Sequence, residues 1–96
     1  MRICILDGDL ITDKETLHSI LASSLQFPDW YGRNLDALYD CLSDMQEETE
    51  IHILHQESLE NHLGRYAQIL WKVMHKVCQE NPHIHFAENS SLKNSN

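Results

Sequence analysis

The sequence predicts an α/β fold: a small three-stranded parallel sheet packed with about four helices. Three observations predict it. Short runs rich in β-branched and aliphatic residues occur at 2–6, 51–55 and 83–86, each bounded by turn or helix-stop signals. The two intervals between them are long enough for two helices apiece, and their apolar residues recur with the helical period. An order of β-α-α-β-α-α-β, with helical crossovers, favours parallel strands covered by helices.

Residues 2–6, Arg2-Ile3-Cys4-Ile5-Leu6, are apolar almost without interruption and end at Asp7-Gly8-Asp9, a turn sequence. A run apolar on both faces suits a buried strand of a parallel sheet. The first helix should begin at Thr12, because Thr12-Asp13-Lys14-Glu15 reads as a capping box. Leu17, Ile20, Leu21 and Leu25 form its apolar stripe, and Pro28 prevents continuation. A second helix is expected over 34–45, followed by an exposed acidic connection, 46–50, and the second strand, 51–55. Residues 56–63 read as one or two helical turns closed by Gly64 in the C′ position. A longer helix follows over 65–80, with Tyr66, Ile69, Leu70, Val73 and Val77 in its buried arc, Met74 at the edge and Trp71 on the flank. Asn81-Pro82 stops it, and the third strand, 83–86, alternates imidazole with apolar side chains.

Ninety-six residues allow one domain, expected over 1–87, with 88–96 as a disordered polar tail. No segment approaches the roughly 18 consecutive apolar residues of a membrane span. The apolar run 3–6 is too short for a signal peptide, so the chain is expected in the cytoplasm. Cys4, Cys41 and Cys78 are odd in number, far apart and without a CxxC pair, as for free thiols in a reducing compartment. The formal net charge of −8 is uneven: residues 1–50 hold eleven acidic and three basic side chains, whereas 51–96 hold four of each. An acidic N-terminal half repels nucleic acid and anionic membranes and attracts a basic partner.

The stretch 27–45, FPDWYGRNLDALYDCLSDM, concentrates the functional signal. Pro28 and Gly32 break regular structure around Trp30 and Tyr31, making an aromatic loop. In the helix that follows, Leu35, Leu38, Leu42 and Met45 share one face, and Asp36, Asp40 and Asp44 gather on the opposite one. Carboxylates at i, i+4 and i+8 repel one another, and Asp44 also opposes the helix dipole at the C-terminal end. Trp30, Tyr31 and Tyr39 beside this stripe complete a pattern typical of an interface hot spot.

Catalysis is poorly served. The chain has no nucleophile–base pair at recognisable spacing and no glycine-rich phosphate loop, and Asp40, Ser43 and Asp44 would raise the pKa of the Cys41 thiol. No enzymatic activity and no cofactor are expected. Among the seven histidines, His52 and His55 should point to opposite faces of their strand. His83 and His85 share a face and could chelate, but no acidic or thiol partner lies nearby in sequence, so no metal site is expected.

The run from Pro28 to Leu42, PDWYGRNLDALYDCL, resembles the signature of the barstar family, small intracellular inhibitors of barnase-type ribonucleases; a weaker likeness spans 2–86. The resemblance implies a three-stranded parallel sheet with helices against it. It also implies a binding surface on the second helix, whose acidic side chains replace RNA phosphates in the active site of a basic ribonuclease. Carried over by position, Asp40 would enter the phosphate site, Asp36 would meet a second basic group, and Tyr31 would pack on the catalytic face. Trp30, Asn34, Tyr39 and Ser43 would line the contact, and Leu35, Asp44, Met45 and Glu47 complete the expected surface. The partner implied is a basic ribonuclease or ribonuclease-like toxin, bound by a chain that is monomeric when free. The alternative is an acidic module of the same fold that binds another basic protein without inhibiting a ribonuclease. Three positions depart from the family pattern: Asp44-Met45 replaces a glycine–aromatic pair, and Lys76 stands where the long helix can supply a glutamate.

Overall fold

Seven elements follow one another in the computed structural model, which describes residues 1–87: β1 (Arg2–Asp7), α1 (Lys14–Leu25), α2 (Leu35–Asp44), β2 (Thr49–Leu54), α3 (Gln56–Leu63), α4 (Arg65–Glu80) and β3 (Ile84–Ala87). The types and order are those expected, and the fold is an α/β domain with a three-stranded parallel sheet and four helices. Strand order is β1-β2-β3, with Cys4 beside Ile51 and Thr49 beside Ile84. The expected tail, 88–96, lies outside the described residues.

Both crossovers step across the sheet in the same direction. Right-handed connections then place the helices on one face and leave the other without a helical layer. The core lies between sheet and helices: Leu6, Ile51 and Ile53 meet Leu17 and Leu21 of α1, Leu38 and Leu42 of α2, Leu59 of α3, and Leu70 and Met74 of α4, all essentially inaccessible to water. This corrects the expectation that β1 is buried on both sides. Cys4 and Leu6 are buried, but Ile3 and Ile5 are 55% and 53% exposed on the open face.

Element ends shift for identifiable reasons. Helix α1 starts after Asp13, not Thr12, since the Asp13 carboxylate accepts from the Thr16 N–H at 2.7 Å and Asp is the stronger N-cap. Strand β2 begins at Thr49 because Thr49 N–H donates to the His83 carbonyl, so Thr49 and Glu50 belong to the sheet rather than to an exposed connection. His55 is not on the strand; it adopts the left-handed conformation (φ 52°) at the N-cap of α3. Gly8 lies under that cap, where a Cβ would come within 2.1 Å of the His55 carbonyl oxygen, so no larger residue fits.

The buried face of α4 is rotated from the expected arc. It comprises Ala67, Leu70, Trp71, Met74 and Val77, while Ile69 is 42% exposed. Trp71 is therefore a core residue. Its ring packs against Phe86, and its indole N–H donates to Glu60 at 2.8 Å, which satisfies the one polar atom it carries.

Candidate protein-binding site

The loop before α2 is fastened at several points. Leu25 ends α1, and Gln26 turns left-handed (φ 56°) to release the chain toward Phe27 and Pro28. Tyr31 then plunges inward. It is 6% exposed, its ring lies 4.8 Å from that of Phe27, and its hydroxyl meets His18 Nδ1 at 2.6 Å. The other imidazole nitrogen, Nε2, meets the Tyr66 hydroxyl at 2.7 Å, so one buried histidine ties the loop to α1 and α4. Burial, and then the charge of Arg33, hold the His18 imidazole below its ordinary pKa, while burial pushes the Tyr31 phenol up. Arg33, itself left-handed (φ 54°), donates to Ser19 Oγ at 2.8 Å.

Burying Tyr31 forces its neighbour out, and Trp30 is 80% exposed. Tyr31 was expected on the surface, but the ring that this loop exposes is Trp30. Phe27, Pro28, Trp30, Cys41, Asp44 and Met45 line a shallow groove of about 270 Å³ between the loop and the end of α2. Asn34 is occupied too. As N-cap, its Oδ1 accepts from Ala37 N–H at 2.8 Å and its Nδ2 donates to the Gly32 carbonyl at 3.2 Å, so its side chain sets the helix start.

From that start, Leu38 and Leu42 fix the helix on the core, and Leu35 and Met45 pack half-buried beside them. The opposite face presents Asp36, Asp40 and Asp44, all exposed, and none has an ion-pair partner among the described residues. The Cys41 thiol between them is pushed above its ordinary range, first by burial and then by Asp40 and Asp44, opposite to the need of a nucleophile. Ser43 turns its hydroxyl inside, and Glu47 is engaged by Arg2 at 2.9 Å, so neither group stands free beside the carboxylates. Both were expected at the surface, where Glu47 lies and the Ser43 hydroxyl does not. Ser43 faces the helix packing, and β1 brings a cation to Glu47.

Two features of this surface were not apparent in the sequence. Asn81, 6% exposed, donates its amide to the carbonyls of Leu42 (2.8 Å) and Met45 (2.9 Å). These carbonyls end α2, where no basic side chain helps, and Leu42 also accepts the Met45 N–H at 3.3 Å. Asn-Pro had read only as a helix stop, and its long-range partners leave no local signal. Glu80 was also missed. It accepts a short hydrogen bond from the Tyr39 hydroxyl, while Lys76 Nζ lies 5.1 Å from the centre of the Tyr39 ring. The rim of the acidic surface thus carries one glutamate and one lysine from α4.

Fold and surface together define a small α/β domain organised around an acidic helix. The chain belongs to the barstar family, described as "Barstar (barnase inhibitor)", whose pattern matches residues 1–89. It is also 40% identical over 81 residues to "Putative ribonuclease inhibitor YrdF" of Bacillus subtilis (strain 168), an alignment covering 83% of this chain and 89% of that relative. The resemblance stated on the α2 signature therefore extends over the whole described domain. No helix of the described residues is long and apolar enough to cross a membrane.

Proposed function

We propose that this protein inhibits a basic ribonuclease in the cytoplasm by placing the carboxylates of Asp40 and Asp36 in the enzyme's phosphate-binding site. The observation that carries this reading is the row of exposed, unpaired carboxylates on a helix that is capped at both ends. Among the described residues, Asp36, Asp40 and Asp44 have no internal cation to surrender before meeting a partner's. A side chain on a fixed helix also loses little freedom on binding. Family membership and the name of the relative support ribonuclease inhibition as the class of activity.

In this reading, the acidic field steers encounter with the basic enzyme, and Asp40 is then desolvated against Lys or Arg side chains. Trp30 covers the adjoining surface and excludes water from the charge pair, while the groove between Trp30 and Met45 receives an apolar side chain of the enzyme. Asp44, at the edge of that groove, belongs to the rim, as does Tyr39 between Lys76 and Glu80. Substrate RNA is excluded because the inhibitor occupies its phosphate position.

The test is inhibition of a basic ribonuclease encoded beside this gene, by wild type and by Asp40→Ala. Removing one member of a desolvated charge pair costs about 3–5 kcal/mol, so the inhibition constant should rise by about a hundredfold or more. Equal inhibition by the two proteins would refute the assignment. Lys76 favours a second reading, an acidic module for a basic protein with a mixed rim, since it interrupts the acidic surface. That reading gains if the enzyme is bound with its active site still open.

A further inference from the structure

The turn after β1, Asp7-Gly8-Asp9, brings two carboxylates to one imidazole nitrogen. Asp7 Oδ1 lies 2.9 Å and Asp9 Oδ2 lies 3.2 Å from His55 Nδ1. The three donor atoms all lie within 4.8 Å of one another. We propose that Asp7, Asp9 and His55 bind a divalent transition-metal ion of the zinc class.

The convergence is built on backbone that has little room to move. Asp7 pairs with Leu54 across the sheet, and the Gly8 N–H donates to the Leu54 carbonyl at 2.7 Å, so His55 leaves β2 directly beside the turn. The Asp7 carbonyl accepts the N–H groups of Leu10 and Ile11, at 3.0 and 3.1 Å. From the other side, His62 Nδ1 lies 3.0 Å from both the Gly8 and the Ile11 carbonyls. Both are acceptors, so this nitrogen carries a proton and fastens the turn. Gly8 itself packs on the His55 carbonyl. The end of β1 and the cap of α3 are therefore locked together, and the ligand side chains alone have to adjust.

The donor set is that of a borderline ion. Carboxylates and imidazole bind zinc at about 2.0–2.2 Å, whereas magnesium and calcium prefer oxygen throughout. Neighbouring ligands at that radius stand about 3.0–3.4 Å apart, from right-angled to tetrahedral geometry. Both contacts to Nδ1 are already close to that spacing. Asp9, 53% exposed, can swing its carboxylate the remaining distance toward Asp7, and water completes the coordination shell. The ion takes the place of the proton that Nδ1 shares with the carboxylates, and that proton leaves to solvent. Asp7 Oδ1 also accepts the Asp9 N–H at 3.0 Å. A carboxylate oxygen has lone pairs for both, and this bond holds the ligand in orientation. Among the described residues, no lysine or arginine pairs with Asp7 or Asp9, so the only charge to displace is the imidazole proton.

None of these ligands lies on α2, so metal uptake is read separately from protein binding. An ion joining β1 to the cap of α3 binds the folded chain alone and raises its thermal midpoint.

The experiment is calorimetric titration of the full chain with zinc chloride and with magnesium chloride, alongside imidazole 15N-resolved NMR of the zinc samples. Wild type should take up one equivalent of zinc, with the largest shift at the His55 ring nitrogens. Affinity should fall at least tenfold in Asp9→Asn and in His55→Gly, the latter chosen because glycine keeps the left-handed backbone at that position. It should be unchanged in His83→Ala/His85→Ala and after alkylation of the cysteines. No uptake overturns the proposal, as does uptake undiminished in Asp9→Asn or His55→Gly, or lost in either control. Magnesium bound as tightly as zinc overturns the assignment to a transition metal. If a variant fails to fold, the NMR of the unaltered protein decides: shifts centred on any histidine other than His55 refute the site.

Discussion

His18 Nδ1 lies 2.6 Å from the hydroxyl of Tyr31, and this buried contact decides which aromatic ring the loop before α2 displays. With Tyr31 anchored to α1 and, through the same imidazole, to Tyr66 of α4, the chain has no room inside for Trp30. The loop is therefore shaped by a polar contact in the core and not by its own turn residues alone.

That contact makes the fold pH-sensitive in a defined direction. The folded-state pKa of His18 is depressed by burial and by Arg33, so a proton binds the unfolded chain more readily. Its stabilising contribution is complete above the ordinary histidine value of about 6.5 and is lost as pH falls from there through the depressed value. His55 runs the other way: its pKa is raised by the hydrogen bond to Asp7, so its contribution is present at lower pH and fades as pH rises through the raised value. Urea midpoints of wild type and His18→Gln should converge between about pH 7 and pH 5, because only wild type loses the His18 contribution. Parallel curves would show that His18 does not titrate in this way.

Trp30→Ala separates binding from folding. The indole is 80% exposed, so the thermal midpoint should stay within the range of surface substitutions, about 0.5 kcal/mol in stability. Affinity for the ribonuclease should nevertheless fall by about 2 kcal/mol, as for an aromatic hot spot. Tyr31→Ala should do the opposite in order of severity, unfolding the loop and losing several kcal/mol of stability through a large core deletion.

Asn81→Leu tests how α2 is held. The substitution keeps bulk but removes the Asn81 donor from the Met45 carbonyl and leaves the Leu42 carbonyl with the 3.3 Å bond from the Met45 N–H. A loss of about 1–3 kcal/mol is expected, read from the shift in denaturant midpoint. A neutral outcome would mean that water reaches those carbonyls.

Lys76→Glu probes the rim. Lys76 sits over Tyr39, next to Glu80, and its charge opposes approach of a basic enzyme. Reversing it should speed association, with a gain of about 0.2–1 kcal/mol at low salt that disappears as ionic strength rises. Stopped-flow rates across a salt series give the answer. A slower rate for the glutamate variant would indicate a partner with an acidic group at this position.

Much was legible in sequence because it is local. The periodic leucines of α2 specify its buried face, and Asp36, Asp40 and Asp44 are placed on the outer face by spacing alone. What failed was each inference that needed a neighbour from elsewhere in the chain. Ile3 and Ile5 look like core until the direction of both crossovers leaves their face bare. Trp71 looks like a flank until Glu60 answers its N–H, and Tyr31 looks like surface until its hydroxyl meets His18.

The amino-acid order by itself therefore determined the succession of elements, the family, and the acidic character of α2, since these follow from hydrophobic period, turn residues and charge spacing. Only the tertiary structure decided which groups are free to act. It committed Glu47 to Arg2, left Trp30 and the aspartates exposed, and set Glu48 between His83 and His85. The reason is that a polar side chain is available to a partner only when its own fold has not already satisfied it, and that satisfaction comes from residues distant in sequence.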